Sequence, residues 1–260
     1  MQDRYTDRRI YFEELARTST EYISRYISAY KEIRSGHHVI EIGCGEGGNL
    51  VPFAGLGCDV CGIDISKRKI SDARTFFQEK GLKGEFICSD FIRFDIGPHI
   101  GKYDIVIMHD VIEHISPEDK HAFMSRAKAL LRPSGVMMSA FPAWKMPFGG
   151  HQQICRSRLC RLPFIHLLPE RWYRGYLKTC NEKEDRIDEL MSIRRAGMSI
   201  ESFEELCSRS GLKIQDRTLW LVNPHYKAKF SLRPVRLHMP WCRWLRNHLS
   251  TSCFHILTIK

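Results

Sequence analysis

The sequence predicts an α/β fold: a doubly wound, mostly parallel seven-stranded sheet with helices on both faces and an insertion after the fifth strand. Three observations carry this. Short apolar runs alternate with helix-length amphipathic segments between His38 and Phe141. Glycines at 43, 45, 47 and 48 follow the first such run directly and open a helix. Pro142, Pro147, Gly149, Gly150, Pro163 and Pro169 then break the rhythm, which resumes near Ile200. Strand, glycine turn and helix in that order make the architecture Rossmann-like.

Element by element, apolar residues recur at helical spacing from Arg9 to about Tyr30 (Ile10, Phe12, Leu15, Tyr22, Ile23, Tyr26, Ile27), which predicts one or two amphipathic helices. His38–Ile42 reads as the first strand, Gly47–Gly55 as a helix and Asp59–Ile63 as the second strand. Ser66 is placed to cap a helix that runs to Lys80 and stops at Gly81. Glu85–Cys88 and Tyr103–Met108 are the third and fourth strands. A helix over Pro117–Leu131 ends at the turn Arg132-Pro133-Ser134-Gly135, before the fifth strand Val136–Phe141. After the break come a helix (Ile200–Ser210), a strand (Leu212–Val222), a helix (Trp241–Leu249) and a last strand (Ser252–Ile259). The expected organisation is a single domain over 1–260, with amino-terminal helices (1–34), a core (35–142), a basic and aromatic insertion (143–200) and a closing helix and strands (201–260).

Composition is that of an ordinary globular protein, with 260 residues, 43% hydrophobic and 27% charged. This excludes disordered, collagenous and coiled-coil classes. A chain of this size buries a core without staples. No apolar run approaches the roughly 18 to 20 residues of a membrane-spanning helix. The charged start MQDRYTDRRIYFEE does not look like a secretory signal, so a cytoplasmic location is expected, with peripheral membrane contact left open. Of ten cysteines only Cys58 and Cys61 form a CxxC, and no second pair completes it. No metal site is assigned, and the thiols are expected to be reduced and buried.

Charge is unevenly spread. Residues 1–150 hold 20 basic and 20 acidic side chains, whereas residues 151–260 hold 20 and 10. The whole +10 excess therefore lies in the last 110 residues, which implies an acidic partner or substrate on that side.

The strongest chemical signal is Val39-Ile-Glu-Ile-Gly43-Cys-Gly45-Glu-Gly47-Gly48-Asn49. Gly43, Gly45 and Gly48 alone also satisfy the dinucleotide pattern GxGxxG. Glu41 separates the two, because a carboxylate there would repel a pyrophosphate and suit an ammonium or sulfonium cation. Glu41-x-Gly43-x-Gly45-x-Gly47 resembles the first motif of class I S-adenosylmethionine-dependent methyltransferases. Four further segments fit in order over roughly 35–142: Gly62-Ile-Asp64-Ile65, Asp90-Phe91, Tyr103 to Ile115, and Leu131 to Met137.

The resemblance implies S-adenosylmethionine as cofactor, held by Glu41, Gly43, Cys44, Gly45, Gly47, Asn49, Asp64, Ile65, Asp90, Phe91 and His109. Asp64 would accept the ribose hydroxyls. Asp90 would lie near the adenine amino group, with Phe91 as an apolar neighbour of the ring. Against these stand plainer roles, Asp64 as a helix cap and Asp90 as a turn residue. Asp110-x-x-Glu113-His114 resembles the segment with which some ubiquinone-pathway O-methyltransferases and RNA 3′-end methyltransferases hold a divalent cation. Many relatives carry the same Glu-His without metal.

His114 and His151 are the candidate bases. His151 sits in Pro147-Phe-Gly-Gly-His151-Gln-Gln, where two glycines would let a mobile loop present the imidazole to an acceptor hydroxyl. Asn223-Pro-His225-Tyr226 follows the sixth strand and would line the acceptor pocket. Basic and aromatic residues mix in Arg156–Arg161, Arg171–Arg174, Lys227–Phe230 and Trp241–Arg246, suited to a phosphate-bearing acceptor, an anionic membrane or RNA. Leu159–Leu168 would serve as a lipid-facing lid helix. The expected activity is methyl transfer to oxygen of a small-molecule, lipid or glycan-precursor acceptor. The alternatives are an RNA methyltransferase, a non-catalytic cofactor-binding protein and a nicotinamide oxidoreductase.

Overall fold

The structure, a computed structural model, describes residues 7–238 and 242–260. Eight strands form one sheet: β1 (His38–Ile42), β2 (Asp59–Asp64), β3 (Glu85–Cys88), β4 (Tyr103–His109), β5 (Leu131–Phe141), β6 (Leu212–Val222), β7 (Val235–Arg236) and β8 (Ser252–Ile259). Their spatial order is β3-β2-β1-β4-β5-β8-β6-β7. The pairings from β3 to β5 are parallel, β8 is antiparallel to both β5 and β6, and β7 is antiparallel to β6. The Rossmann-like core is as predicted. The eighth strand is the addition: two exposed residues on the sheet edge, too short to leave a period in the sequence.

The parallel strands are apolar because both faces are covered. All seven residues of β4 are buried. Alternate side chains go to opposite layers. Val106 and Met108 join a core with Phe123 and Phe203, whereas Ile105 and Ile107 join another with Phe53 and Phe77. Each such side chain contributes on the order of 1.5–3 kcal/mol of burial. The same alternation separates Cys61 from Cys58, which lie in different layers, so the CxxC cannot chelate.

Helices α1 (Arg8–Thr18) and α2 (Ser24–Ser28) flank a π-helical turn, Ser19–Ile23. A 3-10 turn and α3 (Val51–Gly55) fill the predicted helix after the glycines. Helix α4 (Lys67–Glu79) begins where expected, its cap Ser66 accepting from Lys69 N at 3.4 Å. It buries Ile70, Ala73, Phe76 and Phe77 along one face.

Two boundaries differ. Helix α5 (Lys120–Ala129) starts three residues later than predicted, because Ser116 Oγ donates to Asp119 at 2.5 Å in a separate turn. Strand β5 starts five residues earlier. Leu131 pairs with Tyr103, then the register jumps so that Val136 pairs with Ile105. The predicted Arg132–Gly135 turn is thus a bulge within a strand, tethered by Arg132 to Asp104 at 2.8 Å.

The insertion differs more. Leu159–Leu168 is not a helix but two 3-10 turns, Leu159–Arg161 and Ile165–Leu167. Pro163 and a left-handed Phe164 (φ 65°) between them prevent a continuous helix. The real helices here are α6 (Glu170–Thr179) and α7 (Glu184–Ala196). Helix α8 (Ile200–Arg209) follows with a Ser199–Ser202 capping box, then α9 (His225–Phe230) and α10 (Arg243–Leu249). Trp241, the expected start of the last helix, lies outside the described residues. Among the described residues no helix is long and apolar enough to cross a membrane.

Candidate active site

The site is built at the carboxyl ends of β1, β2 and β4, where an open α/β sheet leaves a crevice. The turn after β1 is anchored by Gly43 N and Cys44 N, which both donate to Ile63 O on β2 (2.7 and 3.0 Å). Gly43 has φ +74°, and a Cβ there would run into Val111, which closes the turn against the β4 exit. Gly45 has φ +54° but faces open space, with nothing within 4 Å of a Cβ. Its glycine is favoured by the left-handed backbone alone, not by a protein neighbour.

Within the turn, buried Glu41 accepts a hydrogen bond from Asn49 Nδ2 at 2.7 Å. Its second oxygen, and Asn49 Oδ1, are buried with no partner. Burial is the main reason the Glu41 carboxyl is pushed up to about 8, with nearby Asp64 adding to it. These two bare, buried acceptors suit a cationic hydrogen-bond donor such as an ammonium group.

Asp64 Oδ2 accepts from Gly45 N at 2.9 Å and Oδ1 from Ser66 N at 2.8 Å. It therefore ties the glycine turn to β2, while each oxygen keeps a further lone pair for a ligand hydroxyl. Ile65 beside it is 72% exposed, an apolar side chain at the crevice edge. Asp90 accepts from Ile92 N at 3.0 Å, so it closes a turn. Phe91 is buried against Phe123, ring centroids 5.1 Å apart, and belongs to the core. Cys44 is buried too, its thiol against Gly62, so only its backbone faces the turn. His109 is buried at the end of β4, with Nε2 unpartnered.

The β4 exit is strained. Asp110 (φ 54°) and His151 (φ 55°) are both left-handed non-glycine residues. Such conformations cost about 1–3 kcal/mol each and cluster at functional sites. The fold brings His114 and His151 together, ring centroids 4.9 Å apart and nearly perpendicular. Burial lowers His114 despite its open edge to solvent, and pushes half-buried His151 down to about 4. Glu113 is buried with both oxygens unpartnered, and burial raises its carboxyl. Donor atoms of Glu113, His114 and His151 lie within 4.8 Å of one another, so the three could together hold a cation. Asp110 is not part of that group.

The glycines before His151 do not make a mobile loop. A Cβ at Gly149 would meet Ala143 O at 2.7 Å, and one at Gly150 would meet the His166 side chain. Gln152, fully buried, donates to Pro147 O at 2.7 Å and fixes the segment further. His151 is held in place by packing.

Sequence reasoning missed the cover. Helix α1 lies across the glycine turn: Arg8 Nε donates to buried Glu46 at 2.6 Å, and a Cβ at Gly48 would meet Phe12 O at 2.6 Å. Tyr11 stands edge-on to His225 of α9 at 5.9 Å, and its hydroxyl is raised by burial and then by Asp110, Glu46 and Glu41. Tyr226 also senses Asp110. The amphipathic period of α1 was visible, but nothing local tells which strand ends it covers.

Several basic residues expected to face a partner are committed internally. Arg174 pairs with Glu184 and Asp188, Lys227 with Glu21, and buried Arg246 with Glu201.

Comparison with known proteins agrees with this architecture. Residues 39–135 match the family model of the methyltransferase domain. Ubiquinone biosynthesis O-methyltransferase of Rhodopseudomonas palustris strain BisB5 is 36% identical over 106 residues, 41% of this chain and 40% of that protein. The Actinobacillus pleuropneumoniae serotype 7 protein of the same name is 30% identical over 105 residues, 39% of this chain and 44% of its own. The chain thus spans about two fifths of the length of the curated relatives it matches. Among solved structures, magnesium protoporphyrin IX methyltransferase from Synechocystis PCC 6803 with bound SAH superposes with TM-score 0.56 at 15% identity, covering 95% of this chain and 84% of that one. An S-adenosylmethionine-dependent methyltransferase from Clostridium acetobutylicum ATCC 824 gives 0.58 at 11% identity, covering 99% and 95%. Residues 39–135 are a methyltransferase domain, and the fold around them is shared with solved methyltransferases.

Proposed function

We propose that the protein is an S-adenosylmethionine-dependent methyltransferase acting on an oxygen of a small-molecule, lipid or glycan-precursor acceptor. One arrangement carries the reading: the bare Glu41 Oε2 and Asn49 Oδ1 at the turn after β1, and the His114–His151 pair beyond the end of the neighbouring strand β4. When bound, the cofactor supplies a methyl group activated by a sulfonium charge. The rest falls to this chain. Glu41 and Asn49 take the cationic end, Asp64 the ribose hydroxyls, and Ile65 offers an apolar edge to the base. His151 or His114 accepts the proton of the acceptor hydroxyl while the other ring keeps it oriented. Helices α1 and α9 roof the crevice and limit water, which favours a near-attack geometry.

Oxygen is favoured because the relatives above are named O-methyltransferases. Exposed Leu159, Leu162, Phe164 and Trp172 lie on the insertion with Arg156, Arg158 and Arg171, which suits an acceptor both lipophilic and anionic. The test is incubation with methyl-labelled cofactor and cell extract, then fractionation into lipid, glycan, small-molecule and RNA pools. Label in the first three pools supports the reading, and label confined to RNA overturns the acceptor class. Cofactor binding without any transfer would make this an accessory protein. Loss of activity with a chelator, restored by one divalent metal, would assign Glu113, His114 and His151 to a cation instead of a base.

A further inference from the structure

The insertion has a small core of its own, in which Tyr173, Leu177, Ile187 and Leu190 are wholly buried. Two thiols, Cys155 and Cys160, are buried among them with no exposed surface, and the Glu182 carboxylate is only 7% exposed. One donor atom from each of the three lies within 4.8 Å of the others. Glu182 Oε1 accepts from Ser157 N at 2.7 Å, which orients the carboxylate. Its other oxygen is buried and bare. The Cys180 thiol, just past the end of α6, is close enough to Cys160 to influence its thiol. A carboxylate set among thiols in an apolar pocket, one oxygen unsatisfied, is costly unless something takes its lone pair.

We propose that Cys155, Cys160 and Glu182, completed by Cys180, bind one zinc ion that staples the insertion. The donor chemistry fits: thiolates select zinc among the common divalent ions, and a carboxylate oxygen is an accepted fourth ligand. Zinc–sulfur bonds of about 2.3 Å set tetrahedral sulfurs about 3.8 Å apart, so a contraction of about 1 Å brings Cys155, Cys160 and Glu182 to ligand distance, and Cys180 closes in from the end of α6 as the fourth. Three thiolates and a carboxylate around zinc carry net negative charge, and Arg161 and Arg186 stand where they favour the Cys155 thiolate. Without metal, burial holds the Cys155 thiol up at about 11 and Cys160 at about 12, so zinc must displace protons and binds more weakly as pH falls. A core this small gains most from such a staple. The ligands come from both ends of a segment that includes α6, four residues downstream of His151 at the nearest. This site is separate from the proposed methyl-transfer site, and neither reading depends on the other.

The test uses the full chain, expressed with zinc in the medium and purified without chelator. Elemental analysis is expected to find one zinc per chain. The metal-free protein titrated with cobalt(II) should develop a thiolate-to-cobalt charge-transfer band and the intense visible bands of tetrahedral coordination. Cys155→Ser with Cys160→Ser should abolish both signals, and Glu182→Gln should weaken zinc by about tenfold or more. Cys58→Ser with Cys61→Ser should leave the zinc content unchanged. Because the cobalt spectrum is read on the unmutated chain, a variant that fails to fold does not shelter the proposal. A protein that takes up neither zinc nor cobalt overturns it, as does zinc retained by the double Cys155/Cys160 variant. A thiol count showing these two cysteines joined in a disulfide overturns it equally.

Discussion

The His114 and His151 imidazoles meet edge to face with centroids 4.9 Å apart, although 36 residues separate them in the chain. If His151 is the base, His151→Ala should lower kcat by about 100-fold to 10,000-fold while the cofactor Kd holds. His114→Ala should act in the same direction and more weakly. Unchanged turnover in steady-state assays of His151→Ala would sink the assignment.

Glu41 gives a pH prediction for cofactor binding. In the free protein its carboxyl is held up at about 8 by burial, so it is mostly protonated at pH 7. A bound cation favours the carboxylate, so binding should release a proton and affinity should rise from pH 6.5 to about 8, then level off. Calorimetry in buffers of different ionisation enthalpy reads the proton directly. Glu41→Gln should remove both the proton release and the pH slope and weaken binding by about tenfold.

Gly43 and Gly45 should separate stability from binding. Both have positive φ, which an alanine adopts at a cost of about 1–2 kcal/mol. Gly43→Ala also meets Val111, so it should lower the thermal midpoint by more. Gly45→Ala meets no protein atom, so its larger effect should fall on cofactor affinity. Equal loss of binding in two equally stable variants would contradict the open face assigned to Gly45.

Acid should destabilise the fold through histidines buried neutral. Burial pushes His255, which stacks on Phe141 (centroids 5.7 Å), down to about 3, and His166 to about 4. The sign follows from linkage. Below pH 6.5 the unfolded chain binds protons that the folded chain refuses, so stability falls with falling pH until the folded values are reached. For His255 the slope approaches about 1.4 kcal/mol per pH unit across that window. Denaturant melts between pH 7 and 5 should show a shallower slope for His255→Phe, and an unaltered slope would remove His255 from the account.

The fold was largely legible because its signals are local. Strands β1, β3 and β6 fall where the apolar period puts them, and Ser66 caps α4 as its side chain requires. The predicted turn at Arg132–Gly135 failed because the same residues that end a helix also tolerate a bulge. The choice was made by β4, whose register with β5 accommodates one. The lid helix at Leu159–Leu168 failed for a nearer reason, since Pro163 stood in the segment and its lost hydrogen bond outweighed the helical period.

The sequence by itself determined the cofactor half: the order of strands, the glycine turn, and an acid two residues ahead of it. These depend on neighbours within a few residues, where backbone sterics and side-chain period act directly. Only the tertiary structure decided which residues meet across long gaps. It laid α1 over the glycines, set His151 against His114, paired Arg174, Lys227 and Arg246 with acidic side chains, and gathered Cys155, Cys160 and Glu182 into one pocket. Those contacts arise from how elements pack, and packing is a property of the whole chain that no window of sequence contains.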